Sequence, residues 1–230
     1  MKKISFVAVA LATSMAVFAQ NQQPKLRTDM AVTTRFGIKG GVNLDKMNAD
    51  GYSSASDFNS KMKTAFHGGV FVNVPLSTNF RFQPEVVYSN QGGKNSINTT
   101  IPTGTVTTHY KSELNYINVP LMFQLQSTPG VFVELGPQFG YLLSAKNKST
   151  DNTSGSGNTE MDIKDQLEKW DIAAAGGIGY LSRIGLGVNA RYNYGFTNIL
   201  DKDFSGYTSG TELKNRVWQV GLFYQFGAAK

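Results

Sequence analysis

The 230-residue chain predicts an all-β protein, an eight-stranded antiparallel up-and-down transmembrane β-barrel. Three observations carry this expectation. Segments of roughly ten residues alternate apolar and polar side chains, the length and period of a barrel strand. Near the C-terminus, for example, Trp218, Val220, Leu222, Tyr224 and Phe226 share one face while Val217, Gln219, Gly221, Phe223 and Gln225 share the other. The connections between such segments alternate strictly between short and long, as periplasmic turns and extracellular loops do. Aromatic residues gather at both ends of the segments. Tyr88, Tyr141, Trp170, Tyr194 and Trp218 lie at the long-loop ends, and Phe36, Phe80, Phe82, Tyr180, Tyr224 and Phe226 at the short-turn ends, forming two interfacial girdles. In hydrocarbon the sheet must also close on itself, because a free edge would leave backbone groups unpaired.

Taken in order, residues 1–19 read as a secretory signal peptide: Lys2 and Lys3, an apolar run, then Ala19 before a polar stretch. Residues 20–33 are polar and aperiodic, a flexible periplasmic segment before a barrel domain of residues 34–230. The first strand spans residues 34–44, with Phe36, Ile38, Val42 and Leu44 outward and Arg35, Lys39 and Asn43 inward. After a long loop, residues 45–63, the second strand (64–76) sets Phe66, Val70, Val72 and Val74 against His67, Phe71 and Asn73. Residues 77–79 turn into the third strand (80–90), where Phe82, Val86 and Tyr88 oppose Arg81, Gln83, Glu85 and Ser89.

A polar, Thr-rich loop is expected over residues 91–111, and the fourth strand over 112–126, its apolar phase slipping near Tyr116 as at a bulge. Residues 127–130, Ser-Thr-Pro-Gly, have turn chemistry. The fifth strand (131–143) points Val133, Leu135, Phe139 and Tyr141 outward and Glu134 and Gln138 inward. The longest loop, residues 144–168, contains a Ser/Thr/Asn/Gly tract at 149–159 and a helical turn within 162–169. The sixth strand (169–181) carries Trp170, Ile172, Ile178 and Tyr180 outward, with Asp171 inward among small residues. A tight turn at 182–183 leads to the seventh (184–194), where Leu186, Val188, Tyr192 and Tyr194 oppose Asn189, Arg191 and Asn193. A fourth loop, 195–215, precedes the closing strand (216–226).

Composition bounds the function. There is no cysteine, hence no disulfide framework or thiolate metal site. Net charge is +6, or +4 without Lys2 and Lys3, and it is diffuse, which argues against nucleic acid as a partner. The aspartates Asp45, Asp50, Asp57, Asp151, Asp162, Asp201 and Asp203 lack the rhythm of a calcium loop, so no metal and no cofactor are expected. His67 and His109 lack any spacing that pairs them with a nucleophile, so no catalytic residue is expected either. The inward row collects Arg35, Lys39, Arg81, Glu85, Glu134, Asp171 and Arg191. An eight-stranded barrel has an interior that side chains just fill, so these charges predict a mutually neutralising plug rather than a conduit.

The blocks Gly37-Ile-Lys-Gly-Gly-Val-Asn-Leu, Phe82-Gln-Pro-Glu-Val-Val-Tyr-Ser-Asn-Gln-Gly, Tyr116-Ile-Asn-Val-Pro-Leu and Gly136-Pro-Gln-Phe-Gly-Tyr-Leu-Leu-Ser-Ala-Lys, together with residues 171–180, resemble the PorT-like outer membrane protein beta-barrel domain family of Gram-negative bacteria. The resemblance implies that Pro84, Pro120 and Pro137 are tolerated inside strands, at bulges. It implies an outer-membrane location but supplies no catalytic motif. The expected function is therefore non-enzymatic, a structural or interaction role or an accessory subunit of an envelope or secretion machine. Its expected partners are outer-membrane lipid and envelope or secretion proteins met through the long loops or periplasmic turns. The alternatives are a lipid-modifying barrel enzyme acting through His67 or His109, and a soluble lipocalin-like carrier with its apolar rows turned inward.

Overall fold

The computed structural model describes residues 33–50, 59–101, 104–127, 130–151, 159–201 and 212–227. The signal peptide and lead-in expected before residue 33, Asp57, Asp203 and the core of the Ser/Thr/Asn/Gly tract at 152–158 lie outside the described residues, as do the side chains of Asp50 and Asp151. Eleven strands follow in chain order: β1 (Arg35–Asp50), β2 (Asn59–Lys61), β3 (Lys63–Pro75), β4 (Phe80–Gln91), β5 (Lys94–Ile101), β6 (Gly104–Gln126), β7 (Val131–Asp151), β8 (Thr159–Asp162), β9 (Trp170–Leu181), β10 (Leu186–Gly195) and β11 (Glu212–Gln225). Eight of them close a ring in the order β1-β3-β4-β6-β7-β9-β10-β11, with every neighbouring pair antiparallel. The ring shuts where β1 meets β11, from Gly37 opposite Gln225 up to Asp50 opposite Glu212, so the wall has no free edge.

The two faces separate as the alternation requires. Phe36, Val70, Leu135, Ile178, Val188 and Leu222 stand outward and exposed, while Asn43, Glu85, Gln124, Glu134, Arg191 and Gln219 are buried inside. The lipocalin-like alternative needs the reverse and is ruled out: the apolar rows face outward and the interior is polar. Outward aromatic contacts mark both rims. At the long-loop end Tyr141 meets Trp170 edge-on with centroids 5.0 Å apart, and Arg216 lies 3.6 Å over the Tyr194 ring. At the short-turn end Phe80 and Phe82 pack on Phe123, and Tyr224 on Phe226.

Pro84, Pro120 and Pro137 do not sit at bulges, which corrects the sequence-based expectation. The β3–β4 ladder pairs Phe71 with Glu85 and resumes at Val74 with Phe82; the β6–β7 ladder pairs Pro120 with Gln138 and resumes at Phe123 with Leu135. Rungs are missing beside the prolines, but the register on either side is the same. A proline removes one donor without adding a residue, so the closed ring absorbs the loss locally. The bulge lies where the apolar phase slips: Asn115 faces Ser144, but Tyr116 faces Leu142, leaving Leu143 as the extra residue.

The connections expected as loops contribute strand to the wall among the described residues, most in the second and least in the fourth. β1 continues to Asp50, β6 begins at Gly104 and pairs with β5, β7 continues to Asp151 and pairs with β8, and β11 begins at Glu212. Thr and Ile dominate residues 97–108, a composition that suits a pleated backbone. The segment shows no apolar alternation, which is why it reads as loop. The helical turn expected within 162–169 is a 3₁₀ turn, η1 (Lys164–Gln166).

Inside the short-turn half, three inward rings lie on glycines. A Cβ on Gly37 would meet Phe71 Cζ at 2.1 Å, one on Gly187 would meet Phe223 Cζ at 2.1 Å, and one on Gly179 would meet Phe132 Cζ at 2.3 Å. The rings touch each other edge-on, Phe223 with Phe71 at 5.9 Å and with Phe132 at 6.0 Å. Gly187→Ala should therefore destabilise the barrel by about 1–3 kcal/mol, since an overpacked core must shift an aromatic ring. Urea unfolding in detergent would read this, with Gly176→Ala as control because its Cβ meets nothing closer than Leu135 Cδ1 at 3.5 Å. Equal midpoints for the two variants would refute the ring-on-glycine argument.

Candidate functional site

The barrel interior is built in layers, each strand contributing every second residue. At its centre β1, β4, β7 and β10 bring Lys39, Glu85, Glu134 and Arg191 together. Arg191 donates from Nη1 to Glu85 Oε2 at 2.9 Å, from Nη2 to Glu85 Oε1 at 2.8 Å, and from Nε to Glu134 Oε1 at 2.8 Å. Lys39 Nζ donates to Glu85 Oε2 at 2.9 Å. Two cations thus face two carboxylates, and the group is neutral within itself. Small residues make the room: β9 presents Ala173, Ala175, Gly177 and Gly179 inward, and a Cβ on Gly177 would stand 3.1 Å from both Arg191 Cα and Glu134 Oε1.

Amides satisfy the remaining lone pairs. Gln83 donates to Glu85 Oε1 at 2.8 Å and Gln124 to Glu134 Oε2 at 3.1 Å, while Asn73 donates to both of those glutamines, at 2.8 and 2.9 Å. Toward the long-loop end Asn43 is the hub. It donates to Ser89 Oγ at 2.9 Å and to the Asn90 carbonyl at 2.7 Å, and its Oδ1 lies 2.8 Å from His67 Nδ1 and 3.1 Å from Gln219 Nε2.

Of the seven inward charges read from the sequence, four meet at the centre and three do not. Arg81 reaches the network only through Asn73 Oδ1, at 3.0 Å. Arg35 stands at the short-turn mouth, opposite Asn73 in register. Asp171 lies at the opposite end and accepts from Asn215 Nδ2 at 2.8 Å. Alternation assigns a face but not a height, and height separates these three from the rest.

Sequence reasoning missed the lid. Leu114, Tyr116, Leu142 and Ala145 of the wall, with Leu167 and Ile199 from the connections, form a buried apolar cluster over the polar interior. Backbone bonds fix the connections there: Glu168 N–H donates to the Ile199 carbonyl at 2.9 Å, Ile199 N–H to Leu213 at 2.9 Å, and Ile163 N–H to Ala145 at 3.0 Å. Leu114, Tyr116 and Leu142 had the parity to reveal it, but Leu167 and Ile199 sit in irregular chain. Asp45 and Lys63 were missed as well, both read as loop. They are buried and opposite each other in register, and Lys63 Nζ donates to Asn90 Oδ1 at 3.0 Å and to the Gln91 carbonyl at 2.7 Å.

Above the membrane, the outer face of the strand extension is laced with ion pairs. Glu113 accepts from Lys111 at 2.7 Å and from Lys148 at 3.2 Å, and Glu160 pairs with Lys146 at 2.5 Å. The hydrogen bond from Lys111, followed by that from Lys148, holds the Glu113 carboxyl below the usual carboxylate range. His67 is buried beside Asn43 inside the barrel, and His109 lies far along β6 on the extension, paired in register with Ser96 and Thr150. Among the described residues no three His, Asp or Glu side chains gather as metal ligands.

A closed wall of outward apolar rows, interfacial aromatics and a polar packed interior defines a small transmembrane β-barrel of the outer-membrane type. The chain belongs to the outer membrane protein beta-barrel domain family, whose sequence model matches residues 18–201. That family places it in an outer membrane. Solved outer-membrane proteins are similar to the chain at low identity. Neisserial surface protein A is 11% identical with a TM-score of 0.45, over 83% of this chain and 97% of that one. Ail of Yersinia pestis is 14% identical with a TM-score of 0.44, over 84% and 98%. Outer Membrane Protein W of E. coli is 15% identical with a TM-score of 0.38, over 86% and 100%. No curated protein matches the chain in sequence.

Proposed function

We propose that this protein is a non-enzymatic, non-conducting interaction barrel, a PorT-like accessory subunit of an envelope or secretion assembly in a Gram-negative outer membrane, reached through a cleaved signal peptide. The observation that carries the reading is the sealed interior. Lys39, Glu85, Glu134 and Arg191 occupy the lumen, three phenylalanine rings fill it toward the short turns, and an apolar lid covers its other end. A polar cleft beside the rings, bounded by Asn73, Gln124 and Gln225, has space of about 10 Å³, enough for roughly one water molecule. Nothing of solute size passes a lumen so filled, which leaves the two ends for recognition. His67 faces Asn43 inside the wall, away from the lipid surface, which supports the non-enzymatic reading.

In planar bilayers the purified barrel should show no stepwise conductance, and crosslinking in whole cells should trap it with the same envelope protein in repeated pull-downs. Ohmic steps of porin size would overturn the sealed reading. An uncomplexed monomer in cells would overturn the accessory role. A mass change in outer-membrane lipid lost on His67→Gln would make it an enzyme.

A further inference from the structure

The short-turn, periplasmic end of the barrel is chemically one-sided. Among the described residues, its turns at 76–79 and 182–185 and the strand ends at 33–36, 73–83, 124–127, 130–133, 180–188 and 223–227 contain Arg35, Arg81 and Arg183 and not one Asp or Glu. Arg183 is exposed on its turn. Arg35 and Arg81 share the inward face of the mouth, on the two strands that flank Asn73. Arg35 is cross-strand from Asn73, Arg81 donates to Asn73 Oδ1 at 3.0 Å, and their two positive charges stand near enough to oppose each other. Neither forms an ion pair among the described residues, since Glu85 and Glu134 are committed to Lys39 and Arg191. Arg81 Nε is buried and meets no acceptor.

The contrast with the barrel centre is the argument. There four charges cancel; here two guanidiniums of like sign stand without a carboxylate partner among the described residues. A guanidinium presents a planar fork of donors that matches a carboxylate or phosphate, and an anion between two of them removes their repulsion. The anion comes from the aqueous side. Lipid meets the outward row at this end, which includes Phe36, Phe80, Leu125, Tyr180, Leu186 and Tyr224 and carries no charge. The cleft lined by Asn73, Gln124 and Phe223 admits about one water molecule, so a ligand rests at the mouth and does not thread the barrel.

We propose that the periplasmic mouth docks an acidic peptide segment of a partner, with Arg35 and Arg81 clamping its side-chain carboxylates. This deepens the accessory-subunit reading and rests on it. The test uses the full mature barrel in nanodiscs of zwitterionic lipid and a fluorescein-labelled hexaglutamate peptide, read by anisotropy at low and at 0.5 M salt (about 10 Å falling to a few ångströms of screening length). Binding should be salt-sensitive, and a hexaglutamine peptide should not bind. Arg35→Gln and Arg81→Gln should each weaken binding about tenfold, the loss of one charge-assisted hydrogen bond. Arg35→Lys with Arg81→Lys should restore part of it, and Lys94→Gln with Lys164→Gln at the other end should change nothing. Each variant's heat-modifiable gel shift verifies its fold.

Equal binding of hexaglutamine, or unchanged affinity in the Arg35→Gln, Arg81→Gln double variant, would overturn the proposal. So would binding to phosphatidylglycerol vesicles without binding to the peptide, which would assign the arginines to a lipid surface instead. The two readings fail separately. A crosslinked envelope complex that survives the double Gln variant removes this site but keeps the accessory role. Peptide binding without any complex in cells does the opposite.

Discussion

Replacing Arg191 with leucine should cost about 3–5 kcal/mol of barrel stability, the loss seen when one partner of a buried ion pair is removed. Among the described residues Arg191 is the largest fully buried side chain, and it alone bridges the two carboxylates, with bonds of 2.8 and 2.9 Å to Glu85 and 2.8 Å to Glu134. Without it Lys39 faces two acids in a water-poor lumen, and Glu134 loses its only cationic hydrogen-bond partner among the described residues. The expected readout is a lower urea midpoint in detergent, with the heat-modifiable band lost at a lower temperature. A further comparison separates charge from volume. Replacing Lys39, Glu85, Glu134 and Arg191 together with uncharged residues of similar size should recover much of the loss, because buried ion pairs roughly break even against apolar isosteres. A midpoint for Arg191→Leu within about 0.5 kcal/mol of the parent, the range of an ordinary surface substitution, would remove the cluster from any account of how the wall is held in register.

How much of this was legible in the sequence depends on whether lipid lay on one side. Within the membrane, a one-residue slip turns every outward Val or Leu inward, so Phe36 to Leu44 and Trp218 to Phe226 announce both their faces and their register. Beyond the girdles no hydrocarbon lies against the outer side, and residues such as Thr99, Thr100, Thr107 and Thr108 read as loop although their backbones pair in β5 and β6. Alternation also placed Arg35, Lys39, Arg81, Glu85, Glu134, Asp171 and Arg191 inside without saying at what depth. Depth comes from the stagger of neighbouring strands, which puts Arg191 of β10 opposite Gln219 while its guanidinium reaches Glu85 across the lumen. Pairing across a lumen leaves no trace in local pattern. The run Ala173-Ala-Ala-Gly-Gly-Ile-Gly held part of that information. Small residues facing inward on one strand mean that something large projects from elsewhere, and here it is Arg191.

The second large effect tests which solvent the outer face meets. Leu135 stands midway along the membrane part of β7, cross-strand from Phe123 and Gly176, and is 67% exposed on the outward face. Its neighbour Glu134 points the other way, into the cluster. If hydrocarbon surrounds the wall, Leu135→Arg should destabilise the barrel by about 2–4 kcal/mol, the cost of an arginine on a barrel's lipid face near the midplane. The effect should shrink to about 0–1 kcal/mol for the same change near the interface. Tyr224→Arg, in the girdle at the short-turn end, supplies that comparison. In water the order would differ: an exposed leucine replaced by arginine changes stability by about 0.5 kcal/mol or less, at either height. Unfolding in lipid vesicles, with the two variants measured side by side, separates the cases by depth dependence rather than by a single number. A loss that falls from midplane to rim is the signature of a bilayer, whereas equal small changes at both heights would place the outward rows against water.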